Sequence, residues 1–186
     1  RPLGGVGLAS TDLINPRGLL RRTYRSMKLV ETDPDDRRLC IQLYGNEADE
    51  MAAAAQWCED NGACIVDINM GCPVDKVCKT NGGSSLLRDP ANAVRIAEKV
   101  VRAARVPVTV KMRLGWDDRS LNYLEVAHIL EDNGAAAIAI HGRTREQAYR
   151  GTANWLPIAE VKAAVRLPVI GNGDVKCVAD IERLKA

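Results

Sequence analysis

The chain has 186 residues, of which 46% are hydrophobic and 27% charged, and its formal net charge is +2 at pH 7. This composition is typical of one globular domain with a buried core, and it excludes a disordered or fibrous chain. No apolar run approaches the roughly 18 residues that a membrane span requires, and no charged-then-apolar leader opens the sequence. We therefore expect a cytoplasmic protein that does not enter a membrane.

Charge and cysteine content leave the partners open. One early segment is rich in basic residues and predicts either a phosphate-binding patch or a solvated helix face: Arg17, Arg21, Arg22, Arg25 and Lys28. The six cysteines are expected to stay reduced, because no secretion signal accompanies them. The sequence predicts no metal site, since it has no C-x-x-C pair and its two histidines are far apart. Three cysteines lie in strand-like or helix-like runs and are interpreted as core residues: Cys40, Cys58 and Cys64.

Short apolar runs alternate with helical stretches along the chain. The strands are predicted at residues 6–13, 39–44, 64–69, 108–112, 136–141 and 168–171. Helical apolar spacing predicts helices at residues 48–61, 91–104, 121–132 and 156–165. Repeated strand–helix units indicate an α/β fold with a parallel sheet, and two architectures fit: a (β/α)8 TIM barrel or an open doubly wound sheet.

The polar residues favour the barrel, because nearly every predicted strand ends in a reactive or hydrogen-bonding group. These groups are Gln42, Asn69 with Cys72, Lys111 with Arg113, His141 with Arg143, and Asn172 with Asp174. Barrel active sites are assembled from the carboxyl ends of several strands, whereas an open sheet usually shows a G-x-G-x-x-G fingerprint, which is absent here. A barrel has eight strands, so we expect a partial TIM barrel of about strands 2 to 7. Arg1 and Ala186 would then lie inside the domain.

Each of these residues has a functional and a structural interpretation. Gln42 lies among apolar neighbours, where an unpaired amide costs about 1–3 kcal/mol, so it binds either a ligand or loop backbone. Lys111 lies inside a predicted strand and should face an anion, a polarisable ring or a salt-bridge partner. His141 can donate to a cofactor or substrate near neutral pH. Cys72 follows a strand directly, at the mouth where barrel enzymes keep their catalytic groups.

Two glycine-rich turns add a further possibility of anion binding. They lie at residues 81–85 and 171–174. Their main-chain N–H groups either bind a phosphate or shape a loop.

Four long segments carry a resemblance to a known family: DINMGCPVDKVCKTNGGSSLLRDP (67–90), VPVTVKMRLGWDD (106–118), IAIHGRTREQAYRG (138–151) and LPVIGNGDV (167–175). In this order and spacing they resemble the tRNA-dihydrouridine synthases, in particular a bacterial branch of that family. The resemblance runs from about Leu8 onward. It implies an FMN-dependent barrel that uses NADPH to reduce the C5–C6 bond of particular uridines in tRNA.

The resemblance also implies roles for individual residues. Gln42, Lys111 and His141 are expected to bind the flavin, with Lys111 near the ring edge where negative charge develops on reduction. The turn formed by Asn172, Gly173 and Asp174 is expected beside the flavin phosphate.

The substrate side of the site is implied in the same way. Cys72 matches the general acid, which gives a proton to C5 of uracil after hydride transfer from flavin N5 to C6. Asn69 is expected to orient the uracil, Arg113 to contact flavin or substrate, and Arg143 to contact the substrate. Further residues at the mouth are expected to contact or seat tRNA: Lys76, Cys78, Lys79, Arg145 and Arg150.

The sequence departs from the family pattern at both ends. It lacks the family's first strand, its eighth strand and its C-terminal helical tRNA-binding domain, so we expect residues 1–186 to form a partial catalytic domain. We expect the complete protein to be monomeric. Two alternatives remain open: another flavin-dependent barrel that acts on a free pyrimidine, similar to dihydroorotate or dihydropyrimidine dehydrogenases, and a non-catalytic RNA-binding barrel remnant.

Overall fold

The structure is a computed structural model that describes residues 7–32 and 39–185. Arg1, Val6 and Ala186, on which parts of the sequence interpretation rest, lie outside the described residues. No helix in the described ranges is both long and apolar enough to cross a membrane.

Within the described part of the chain, six strands form one parallel sheet. They are β1 (Ala9–Ser10), β2 (Leu39–Leu43), β3 (Ile65–Met70), β4 (Val108–Arg113), β5 (Ala137–His141) and β6 (Val169–Asn172). Each strand pairs with the next in chain order, from β1 to β6. A doubly wound sheet reverses its strand order at a switch point, whereas a barrel adds its strands sequentially. The sheet is therefore part of a (β/α)8 barrel, as the strand-end residues predict.

Helices follow the strands and cover one face of the sheet. They are α1 (Pro16–Leu20), α2 (Tyr24–Val30), α3 (Ala48–Asp60), α4 (Asp75–Cys78), α5 (Pro90–Ala103), α6 (Tyr123–Asp132), α7 (Leu156–Ala164) and α8 (Val178–Lys185), with a 3-10 helix at Gly83–Arg88. Helix α3 packs against α1 and α5, and α6 packs against α7. This is the outer layer that the helical apolar spacing predicts.

The predicted elements are confirmed except at a few boundaries and in short helices. The strand predicted at residues 6–13 is wrong in length, because within its described residues, 7–13, only Ala9–Ser10 is a strand. After it the chain leaves the ladder and returns to β2 at a single bridge between Ile14 and Leu43. Helix α6 begins two residues later than predicted, since Leu121 forms a bridge with Gly115 instead.

Side chains alternate between the two faces of the sheet, as the pleat of a strand requires. One face packs against the helices and is apolar; its fully buried members include Val66, Ile68, Val110, Ile138 and Ile140. The opposite face carries the polar residues of the predicted site. The core thus lies between sheet and helices and leaves the inner face of the barrel for chemistry.

Replacing Ile138 by Ala should lower the free energy of unfolding by about 2–5 kcal/mol, because its side chain is fully buried in the core. Leu124→Ala on α6 is a matched control: this side chain is 37% exposed, and the change should cost less than about 1 kcal/mol. Urea denaturation measures both values. Equal losses in the two variants would contradict the assignment of the core.

Candidate active site

Strand register places the residues of the predicted site in three successive rows of the inner face. The first of these rows contains Gln42, Asp67, Thr109 and Ala137. The middle row contains Asn69, Lys111, Ala139 and Ile170. The row at the carboxyl ends contains Arg113, His141 and Asn172. The predicted residues on β2 to β6 therefore share one concave surface, and Cys72 follows β3 at its rim.

Lys111 is a half-buried cation on the inner face. Among the described residues, no hydrogen bond or ion pair joins its ammonium group. Burial, with a further contribution from the charge of Arg113, lowers the pKa of Lys111 to about 8, and the charge of Asp67 opposes this shift. A largely desolvated ammonium that forms no ion pair is costly, so the position is suited to a ligand with negative charge or strong acceptors.

His141 lies at the end of the neighbouring strand and has an unused ring nitrogen. Its Nδ1 is buried and has no hydrogen-bond partner among the described residues. Burial lowers the pKa of His141 to about 4, and the charges of Arg113, Lys111 and Arg143 contribute to this shift. The ring is therefore neutral at pH 7, with one nitrogen able to donate and the other able to accept.

Gln42 and Asn69 belong to a chain of polar side chains on β2, β3 and β4. Nε2 of Gln42 donates to Oδ2 of Asp67 at 2.7 Å, and Nδ2 of Asn69 donates to Oε1 of Gln42 at 3.1 Å. Oγ1 of Thr109 donates to Oδ1 of Asp67 at 2.5 Å. The structural interpretation of Gln42, in which its amide binds loop backbone, is therefore wrong, because the partners of the amide are the side chains of Asp67 and Asn69. Each amide keeps one free N–H for a ligand.

The main chain of Cys72 is held on both sides. Its N–H donates to Oδ1 of Asn69 at 2.8 Å, and its carbonyl accepts from the N–H of Ser84 at 3.1 Å and from Oγ of Ser84 at 2.9 Å. Sγ of Cys78 is 3.5 Å from the same carbonyl. Burial raises the pKa of the half-buried Cys72 thiol. The thiol thus remains protonated at neutral pH.

The turn at residues 81–85 shapes this loop. The N–H groups of Asn81, Gly82, Ser84 and Ser85 all donate to carbonyls of the protein. Gly83 has φ +58°, and a Cβ there would lie 2.9 Å from the Cys72 carbonyl oxygen. Of its two interpretations, the structure favours the loop-shaping role over phosphate binding.

Arg113 and Arg143 donate to main-chain carbonyls. Arg113 is 3% exposed; its Nε donates to Gly71 and its Nη1 to Thr144 and Ala148, each at 2.8 Å. Arg143 donates to the carbonyls of Arg150 at 3.0 Å and Gly151 at 2.7 Å. Both guanidinium groups therefore join the loops after the strands. Their contact with substrate stays a prediction.

Asn172, Gly173 and Asp174 leave β6 toward the loop after β5. The Asp174 carboxylate accepts from Arg143 at 2.8 Å and from the Ala153 N–H at 2.7 Å. These bonds lower the pKa of Asp174, with Ala153 the larger cause. A Cβ on Gly173, which has φ +112°, would lie 3.0 Å from Cε1 of His141. The turn is therefore tight against His141, and its contact with a cofactor stays a prediction.

A cleft of about 550 Å³ lies beside this turn. Basic side chains line it together with Asp174 and Asp180: Arg143, Lys176 and Arg183. Basic residues also mark the other loops of the mouth. Lys76 and Arg150 are exposed. Arg145 forms an ion pair with Asp75, and its guanidinium lies 4.6 Å from the centre of the Trp116 ring.

The residues of the early basic segment lie on α1, α2 and the turn between them. Arg17 pairs with Glu50 at 2.7 Å and Lys28 with Glu31 at 2.9 Å. Arg21, Arg22 and Arg25 are exposed. The pairs and the exposure favour the solvated helix face over a phosphate site for this segment.

Sequence reasoning missed Asp67, Thr109 and Ser84 as members of the site. Asp67 and Thr109 are polar residues at inner-face positions of strands that otherwise contain apolar residues. Their alternation with Val66, Ile68 and Val110 is the signal that points to the inner face. Ser84 had no such signal, because its bonds to Cys72 depend on the fold of the loop.

The whole chain matches the family model described as Dihydrouridine synthase (Dus), over residues 1–186. The chain belongs to the dihydrouridine synthase family. It is similar to a "Probable tRNA-dihydrouridine synthase 1" of Synechocystis, with 53% identity over 148 residues, which are 80% of this chain and 42% of that protein. It is also similar to "tRNA-dihydrouridine synthase B" of Xanthomonas campestris, with 45% identity over 175 residues, 92% of this chain and 52% of that protein.

This member of the dihydrouridine synthase family spans about half the length of the curated relatives that it matches. Among solved structures it is similar to a nitroalkane oxidase from Streptomyces ansochromogenes, with TM-score 0.52 and 15% identity, over 99% of this chain and 55% of that one. At that identity the likeness concerns the fold alone. It agrees with the partial barrel.

Lys111→Met should stabilise the ligand-free protein at pH 7 by about 2 kcal/mol, because it removes a largely desolvated charge that forms no ion pair. The Lys111 pKa is lowered from 10.5 to about 8 in the fold. Between pH 8 and 10.5 the unfolded state therefore binds more protons than the folded state. The destabilisation by Lys111 accordingly decreases as pH rises from about 8 to 10.5. The gain in Lys111→Met should decrease over the same range. Urea denaturation at a series of pH values measures it.

Lys162→Met is the matched control, because Lys162 is exposed on α7. It should change stability by less than about 0.5 kcal/mol at any pH. A Lys111→Met variant no more stable than the parent at pH 7 would show that the ammonium is already neutralised.

Proposed function

We propose that the complete protein reduces uridines in tRNA to 5,6-dihydrouridine, with FMN as cofactor and NADPH as reductant. The observation that carries this proposal is the juxtaposition of the unpaired Lys111 ammonium and the unpartnered His141 Nδ1 on adjacent strand ends. A thiol with a raised pKa, that of Cys72, follows β3, the strand on the other side of β4. Family membership and relatives named as tRNA-dihydrouridine synthases support the same activity.

The side chains of the inner face fit a flavin. A flavin ring system presents carbonyl oxygens and ring nitrogens, and it becomes anionic on reduction. Lys111 supplies a positive charge for it, neutral His141 supplies a donor or acceptor, and Gln42 supplies a free amide N–H. Each of these groups lacks a full set of partners within the described residues, which supports a ligand as the missing partner.

Bound flavin would supply the hydride that C6 of uracil receives. Cys72 supplies the proton for C5. Burial raises the pKa of this thiol, so it holds its proton at neutral pH until charge develops on the substrate. The bonds from Asn69 and Ser84 to the Cys72 main chain keep the thiol at one position on the rim.

The loops around the mouth support RNA as substrate. Lys76 and Arg150 are exposed there and are suited to phosphate contacts. A uracil stacked in folded RNA must be extruded to reach the inner face, at a cost of a few kcal/mol that phosphate and base contacts offset. We expect binding to weaken as salt concentration rises, and we expect the protein to act in the cytoplasm, where tRNA is found.

Cys72→Ala in the complete protein should abolish dihydrouridine formation and leave flavin reduction by NADPH at the parent rate, because the thiol is needed only for protonation of the substrate. Stopped-flow flavin absorbance and mass spectrometry of tRNA nucleosides measure the two steps. Cys177→Ala is the matched control, since this exposed cysteine lies outside the site.

Normal dihydrouridine yield in Cys72→Ala would overturn the assignment of the general acid. Reduction of free uracil but not of tRNA by the parent would favour the pyrimidine-specific alternative. A purified protein without a flavin absorbance spectrum would favour the non-catalytic alternative.

A further inference from the structure

Asp67 is a carboxylic acid on the inner face to which neither the sequence motifs nor the proposed chemistry gives a role. It is 6% exposed. We propose that Asp67 is a positioning residue: it fixes the orientation of the Gln42 and Asn69 amides, and through them it holds the main chain of Cys72. Its value for catalysis rests on the proposed function, whereas the positioning itself rests on geometry alone.

Four hydrogen bonds, in three successive steps, connect Asp67 with the loop that carries the thiol. Nε2 of Gln42 donates to Oδ2 of Asp67 at 2.7 Å. Nδ2 of Asn69 donates to Oε1 of Gln42 at 3.1 Å. Oδ1 of Asn69 then accepts from the N–H of Gly71 at 3.2 Å and of Cys72 at 2.8 Å. The chain of contacts crosses from β3 to β2 and returns to the end of β3.

The direction of every bond follows from the carboxylate. An amide can turn by half a rotation and exchange its oxygen with its nitrogen, so its orientation depends on its partners. A carboxylate oxygen that only accepts requires Nε2 of Gln42 to face it, which leaves Oε1 for Asn69. Asn69 must then present Nδ2 to Gln42 and Oδ1 to the loop. Reversal of any one amide would oppose donor to donor or acceptor to acceptor.

Thr109 completes the arrangement from the other side. Its hydroxyl donates to Oδ1 of Asp67 at 2.5 Å, so both carboxylate oxygens are bonded. Burial raises the pKa of Asp67, while the bonds from Thr109 and Gln42 and the charge of Lys111 oppose this shift. A proton on Oδ1 would face the Thr109 oxygen and leave Oδ2 as the acceptor. The orientation of Gln42 is therefore the same in both protonation states.

The consequence for a ligand is a defined set of donors. With the oxygens of both amides engaged inside the protein, the remaining N–H of Gln42 and the remaining N–H of Asn69 are left for a ligand. A cofactor or base with carbonyl oxygens matches this set. In this way one buried carboxylate determines both what the inner face recognises and where the Cys72 loop lies.

Exchange of the acid and amide between the two positions tests the proposal. Gln42→Glu places two carboxyl groups against each other, and wherever both are ionised their repulsion should break the contact with Asp67. Adding Asp67→Asn restores it with reversed polarity: the new amide nitrogen donates to Glu, its oxygen accepts from Thr109, and the second Glu oxygen still accepts from Asn69. The double variant Q42E/T109V is the control, because it removes a neighbour of Asp67 and leaves the repulsion.

Hydrogen exchange of the Gly71 and Cys72 amides in the complete protein is the readout, and it needs no substrate. Near neutral pH we expect both amides to exchange about tenfold faster or more in Q42E, and to return to within about threefold of the parent in Q42E/D67N but not in Q42E/T109V. The Val66 amide, which donates to the Pro107 carbonyl, should be unchanged as an internal reference.

Parent-like exchange in Q42E at a pH where NMR titration shows both acids ionised, or exchange in Q42E/D67N as fast as a raised rate in Q42E, would overturn the proposal. If Q42E does not fold, the double variant decides alone, and fast exchange of Gly71 and Cys72 in it is the contradictory result. A protein that passes this test yet forms no dihydrouridine would contradict the proposed function and leave the role of Asp67 intact.

Discussion

The constraint on which the site depends is a positive charge on the inner face of the barrel that forms no ion pair with any carboxylate of the described residues. Lys111 lies beside Asn69 in the middle row, next to the row of Arg113, and its pKa is lowered to about 8 because burial and the charge of Arg113 both oppose its charge. The neighbouring His141 stays neutral for the same reason. Such a cluster is typical of a ligand-binding site, because an unpaired charge lowers the stability of the protein unless a ligand pairs with it.

The rest of the architecture keeps that cluster and the thiol in fixed positions. Parallel strands in sequential order bring the ends of β2 to β6 to one surface. Arg113 and Arg143 join the loops that follow the strands through main-chain carbonyls, and Asp174 joins the turn after β6 to them. Positive charge therefore has two uses in this site: two buried arginines hold the loops, and one lysine remains for the ligand.

Much of the fold was predictable from the sequence, because its period-2 and helical patterns are strong. The strand around Ile138 and the helix at residues 91–104 follow from apolar spacing alone. The site was predictable as far as position decides it: Gln42, Lys111 and His141 are strand-end residues on one surface. The hydrogen-bond partners of Arg113 and Arg143 could not be predicted, because which loop carbonyls they reach depends on how the loops fold. The same is true of the partners of Ser84. Asp67, in contrast, could have been recognised as an inner-face residue, because it alternates with the apolar Val66 and Ile68.

The midpoint potential of the bound flavin tests the central claim most directly. If the Lys111 charge stabilises the reduced, anionic form, then Lys111→Met in the complete protein should lower the two-electron potential by about 30 mV or more, or abolish flavin retention. Lys162→Met should leave both unchanged. Full flavin content in Lys111→Met with the potential of the parent would contradict the account.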